Sequence, residues 1–250
     1  MNPRYVTAPD HVEAVDLGPA MVLVNYRTGA VKTLLGPAAL WWAELSTTGD
    51  LRATSGLDRT SSKALLDQLR SAGLLVPVQR PGPWQTPRTG MPWVPSWGTH
   101  ELAAGREKPV RVPIGATMLA APALLVVITV LSLGRASRRM ARLVRLLDWA
   151  TGLSRLPADA EQTRWLVHAV RRVGLLAPGR VACLEESAAV TLALAMRGRR
   201  ATWCHGVAAD PIRLHAWVEV EYRRPIAEPS STARYTPLRT IPRRDNGGEK

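Results

Sequence analysis

CLEESAAVTLALAMRGRRATWCHGVAADPIRLHAWVEV, residues 183–220, is the stretch from which the rest of the chain can be read. Cys183 follows Pro178, Gly179 and Arg180 and opens an alanine- and leucine-rich helix expected over residues 183–196, ended near Gly198. N–H groups in the first turn of a helix lack intrahelical partners and carry partial positive charge. A thiolate is favoured there, and the same N–H groups can hold the oxyanion formed when a carbonyl is attacked. Glu185 and Glu186 suit the helix dipole but oppose a thiolate, which makes an imidazole partner more necessary. Ala201–Val207 reads as a β segment and Asp210–Pro211 as a turn. Residues 215–221 alternate, with Ala216, Val218 and Val220 on one face and His215, Trp217, Glu219 and Glu221 on the other. His215, at the expected start of this strand, can take a thiol proton and return one to a leaving amine near neutral pH. Against this stands the plain alternative of a small buried cysteine, since cysteine is among the most buried residue types.

A cysteine at a helix start, then a β segment, then a histidine on a strand is the order of a papain-like or transglutaminase-like core. The segment from Arg180 to Glu221, with CLEES, RGRRAT, the Gly206–Val207 pair, Asp210–Pro211 and an intact HAWVEV string 32 residues after Cys183, resembles the lasso-peptide B proteins. Those are transglutaminase-like cysteine peptidases that remove the leader of a ribosomally made precursor. The resemblance implies catalytic roles for Cys183 and His215. It also implies a carboxylate, usually aspartate, about a dozen residues after the histidine. Here that region has no aspartate, and Glu228 is the nearest candidate. Glu219 is disfavoured because it shares a strand with His215, and Asp210 is a fallback.

The first 80 residues support the same reading. His11–Leu17, Ala20–Tyr26 and Ala30–Leu35 look like strands, with a turn at Arg27–Gly29. Gly36–Pro37 opens a helix carrying Leu40, Trp41 and Leu45. Ser61 or Ser62 is expected to cap a second helix with Leu65, Leu66 and Leu69 as its stripe, ended by Gly73. Leu74–Val78 is a further short strand. The class is α+β, a small three-stranded winged-helix-like unit followed by the peptidase domain. VLVNYRTGAVKTLL at residues 22–35 resembles the PqqD-like leader-recognition element of such pathways. That resemblance implies a leader peptide added as an extra strand, with Val31, Thr33 and Leu35 on the strand and Leu66, Leu69 and Arg70 on the helix as candidate contacts.

Domain bounds are expected at 1–80 for the recognition unit, 81–113 for a Pro/Trp-rich linker, 114–240 for the peptidase domain and 241–250 for a disordered basic tail. Pro81, Pro83, Pro87, Pro92, Pro95 and Pro109 stiffen the linker, with Trp84, Trp93 and Trp97 between them. Ile114–Leu133 is uncharged and long enough to span a bilayer, and Arg135, Arg138, Arg139 and Arg142 follow it. Pro122 and the small residues weigh toward a buried or membrane-surface helix. Residues 140–149 read as an amphipathic helix, as do 159–174.

The formal charge of +13 favours acidic partners. No basic arm and no aromatic–basic alternation is seen, so no nucleic-acid partner is expected. Two cysteines without CxxC spacing suit a reducing compartment, and the polar start lacks a signal-peptide pattern, so a cytoplasmic location is expected. Cys204 and His205 are adjacent in a β segment and point to opposite faces. His11, His100 and His168 show no metal spacing; neither metal nor organic cofactor is expected. The resemblance implies two partners, the precursor peptide and a ring-closing asparagine-synthetase-like cyclase. Three rivals remain: a winged-helix-like nucleic-acid-binding protein with an inactive transglutaminase-like domain, an acyl transferase on the same fold, and a membrane-anchored form of the peptidase.

Overall fold

The structure, a computed structural model, describes residues 3–91, 111–209 and 211–244, and divides into two compact units, 1–93 and 94–250. In the first unit β2 (Val12–Asp16), β3 (Ala20–Asn25), β4 (Val31–Leu35) and β6 (Arg88–Thr89) form a sheet of order β4-β3-β2-β6. The β2–β3–β4 meander is antiparallel, and β6 joins β2 in parallel. β1 (Tyr5–Thr7) pairs separately with β5 (Val76–Val78). The three meander strands and the short strand at β5 were expected; β1 and β6 were not, being two or three residues long with no alternation to announce them. Helix α1 (Pro37–Thr48) has Gly36 as its N-cap and proline at its start. α2 (Arg59–Ser71) is capped by Asp58, whose carboxylate accepts from the Thr60 and Ser61 N–H groups, so the expected serine caps are replaced by the aspartate before them. The core gathers Met21, Leu23, Trp41, Trp42, Leu45, Leu66, Leu69 and Leu74.

The expected linker begins too early at residue 81. Trp84 packs edge-on against Trp42 at 5.7 Å, its backbone N–H donates to the Ser46 carbonyl at 3.0 Å, and Arg88–Thr89 is a strand. Residues 81–91 therefore belong to the first unit. The rest of the expected linker, with Trp93 and Trp97, falls largely on residues 92–110, outside the described residues.

In the second unit α3 (Ile114–Ser132), α4 (Arg139–Leu153), α5 (Ala160–Gly174) and α6 (Cys183–Ala195) precede and flank a sheet of order β11-β10-β9-β12. Its strands are β9 (Thr202–Ala209), β10 (Ile212–Val220), β11 (Arg224–Pro225) and β12 (Thr236–Ile241), all antiparallel to their neighbours. β7 (Leu156–Pro157) and β8 (Arg199–Arg200) form a short parallel pair. α3 is long and apolar enough to cross a membrane by length and composition. It packs on α4, α5 and α6 with Ala116, Ala120, Ala123, Leu124 and Val127 buried, while Ile114, Met118 and Leu125 stay exposed. α5 is capped by Asp159, which accepts from Glu161 and Gln162 N–H. The tail is ordered further than expected. Ile241 ends β12 and Arg244 bonds to Glu219, whereas 245–250 lie outside the described residues.

Candidate active site

Cys183 is the first residue of α6 and is partly exposed. The two glutamates that follow are both engaged. Glu185 Oε2 accepts from the Ala182 N–H at 3.1 Å, closing the helix mouth. Glu186 Oε2 accepts from Arg171 Nε at 3.2 Å, so its charge is balanced by a guanidinium from α5. The carboxylates that weighed against a thiolate in the sequence are thus each spoken for. Deeper in α6, Ser187 Oγ accepts from the Trp203 indole at 2.9 Å and ties the helix to β9.

His215 lies in the fourth position of β10, not at a strand start; the ladder with β9 extends back to Ile212 opposite Ala209. Its ring and the Cys183 thiol line one small pocket and interact across it. Nε2 lies 2.8 Å from Glu228 Oε2, which leaves Nδ1 for the thiol. Glu228 arrives by a return of the chain. β11 runs antiparallel beside β10 with Glu219 opposite Pro225, and the Ile226 N–H donates to the Val218 carbonyl at 3.1 Å. A few residues on, the backbone draws level with His215. Ala227, at φ 53°, takes the left-handed conformation that alanine disfavours, and this turns Glu228 toward the imidazole. Glu228 is buried, its side chain 8% exposed.

Burial alone would push the His215 imidazole down. The hydrogen bonds to Cys183 and Glu228, with the negative charge of both, outweigh it and raise the imidazole to about 9. An aromatic wall encloses it, with Trp217 stacked at 5.9 Å and Tyr235 tilted at 5.2 Å. Burial raises the Tyr235 phenol. Gly206, opposite His215 on β9, admits this packing, since a Cβ there would come within 2.9 Å of the Trp217 ring and 2.5 Å of the Thr236 carbonyl oxygen. A small pocket opens among Cys183, Ser187, His215, Ile226 and Glu228.

The structure thus brings Cys183, His215 and Glu228 together. It keeps Glu219 apart, where one oxygen accepts from the Trp217 indole at 2.8 Å and the other bonds Arg244. Asp210 lies outside the described residues. Cys204 and His205 are both buried on opposite faces of β9; burial pushes the Cys204 thiol well up and, with the charge of His215, brings His205 down to about 4. The sequence reading missed Arg171, which donates from Nη2 to Glu228 Oε1 at 3.0 Å and from Nη1 to the Ala227 carbonyl at 2.9 Å. Its only signal was an arginine on a helix already rich in them.

In the first unit, Val31, Thr33 and Leu35 lie on β4, which pairs with β3 on one side and forms an edge of the described sheet. Leu35 is 63% exposed and Val31 37%. Leu66 and Leu69 are instead 4% and 1% exposed. They face the core because they are the apolar stripe that holds α2 to the sheet, and they offer no surface to a peptide. Arg70 is half-buried, 3.9 Å from Asp67.

Residues 125–240 match the model of the transglutaminase-like superfamily. The second unit therefore carries a transglutaminase-like domain, from within α3 into β12. That superfamily includes cysteine peptidases. Neither curated proteins nor solved structures gave a match.

Proposed function

We propose that the protein is a cysteine peptidase that binds the leader of a ribosomally made lasso precursor and cuts it from the core. The observation that carries the reading is the Cys183–His215–Glu228 line, with the thiol at a helix mouth and the carboxylate 2.8 Å from the far ring nitrogen. Cys183 attacks the carbonyl at the leader–core junction while His215 receives the thiol proton. The oxyanion lies against the N–H groups of the first turn of α6. His215 then protonates the leaving core amine, and water, deprotonated by His215, hydrolyses the thioester to release the leader. Glu228 holds the imidazole in the tautomer with hydrogen on Nε2 and stabilises its cationic form. The edge strand β4 supports leader capture by strand addition, with exposed Val31 and Leu35 flanking Thr33. Tethering the leader to the first unit raises the local concentration of the junction at the second. The freed amine would pass to a ring-closing, asparagine-synthetase-like cyclase.

Mass spectrometry of a leader-bearing precursor after incubation with the protein tests this. Two fragments summing to the precursor plus one water support it. An amine adduct would mean acyl transfer, and an untouched precursor beside tight duplex binding in a gel shift would mean a nucleic-acid-binding protein.

A further inference from the structure

Arg171 spends its whole guanidinium at the site. Nε meets Glu186 in the first turn of α6, Nη1 meets the Ala227 carbonyl, and Nη2 meets Glu228 Oε1. The first acceptor belongs to the helix that carries the thiol. The other two belong to the segment that carries the acid. Glu228 Oε1 being taken, its second oxygen is the one that faces His215. A glutamate has three side-chain torsions, and one contact to an imidazole leaves several of its rotamers open. Ala227 sits in a backbone conformation that persists only when its surroundings hold it, and its carbonyl is one of the atoms that Arg171 grips.

We propose that Arg171 is a positioning residue: by clamping the Ala227 carbonyl, Glu228 and Glu186 at once, it locks the acid-bearing segment to the cysteine helix and aims Glu228 at His215. This rests on the reading of Cys183, His215 and Glu228 as the working set. A planar fork with five donors can span three acceptors on two elements, which a lysine ammonium at the end of a flexible stem cannot reproduce.

The competing role, simple neutralisation of two carboxylates, differs in sign. Removing a cation beside Glu228 while the geometry holds would deepen the negative field at His215 and raise its titration midpoint. Removing the clamp lets Glu228 swing off, and the midpoint falls. The groups that face the imidazole are Cys183 from α6, Glu228, Tyr235 ahead of β12 and His205 from β9, with Arg213 of β10 beside Tyr235. Of these only Glu228 is altered, in E228Q and the double variant; R171M and R171K leave every one of them in place.

The experiment is an imidazole titration by NMR of full-length protein with carbon-13-labelled histidine. Wild type, R171M, R171K, E228Q and the R171M/E228Q double variant are compared, and H215Q assigns the resonance. The wild-type midpoint is expected near 9. R171M and E228Q should each lower it by about one unit or more, and the double variant should fall no further than E228Q. R171K, which keeps the charge and loses the fork, should fall by about half a unit or more, and it decides the matter if R171M does not fold. A midpoint in R171M at or above wild type, or an R171K midpoint equal to wild type, overturns the positioning role. A wild-type midpoint near the ordinary 6.5 would instead overturn the reading beneath it.

Discussion

The two cysteines of the second unit sit among the same kinds of neighbour. Cys183 has an aromatic ring from β10 (His215), a glutamate (Glu228) and an arginine (Arg171). Cys204 has an aromatic ring opposite it on β10 (Trp217), a glutamate (Glu219) and an arginine (Arg244). The first thiol stands at a helix mouth, partly exposed, beside a ring that can carry a proton. The second is fully buried in the sheet, its thiol pushed well up by burial and by Glu219, beside an indole that cannot act as a base. Reactivity is set by placement and by the titratable partner. The second cluster still serves the first, because Glu219 anchors the Trp217 ring that stacks on His215.

The contrast should be sharpest in catalysis. Cys183→Ala is expected to abolish precursor cleavage, a loss of about 10⁴-fold or more, whereas Cys204→Ala should cut at close to the wild-type rate. A dead Cys204→Ala protein that still melts cooperatively would break the distinction between the two thiols. Next comes the pair of carboxylates. Glu228→Gln should lower the cleavage rate by roughly 10²- to 10⁴-fold through loss of the orienting charge. Glu219→Gln should cost far less, and equal losses would mean that the indole anchor matters as much as the acid.

Smaller effects fall on stability. Cys204→Ala should lower it by about 1 kcal/mol, since it leaves a small void in the sheet, which chemical denaturation would register. The pH dependence has a definite sign. His215 is raised from 6.5 to about 9 in the folded protein, so its contribution is full below pH 6.5 and is lost as pH rises through 9. The stability gap between wild type and His215→Gln should therefore narrow between those pH values; a gap that widens would contradict the ion-paired imidazole.

The pairing of Cys183 with His215 was legible because a helix start and a strand are local patterns. Proline and glycine ahead of Cys183 announce the helix, and the alternation from His215 to Glu221 announces the strand. Glu228 could be named as the nearest acid, yet how it reaches the ring depends on a left-handed alanine that no residue preference foretells. Arg171 was out of reach for a different reason. It lies 57 residues before Glu228, and an ion pair across that separation has no period in the sequence. In the first unit the meander and α1 followed from turn residues and proline placement. β6 did not, because two residues among prolines look like linker until their pairing with β2 is seen. Leu66 and Leu69 show the limit of naming contacts from an apolar stripe, since the residues that build a helix face are the ones its own core consumes.

The central claim is that the imidazole makes the Cys183 thiol reactive, and iodoacetamide labelling at neutral pH, followed by peptide mass mapping, measures it without a substrate. Wild type should be alkylated at Cys183 and spared at Cys204, and His215→Ala should slow the Cys183 reaction by about tenfold or more. Alkylation of Cys183 at the same rate with and without the histidine would contradict the account.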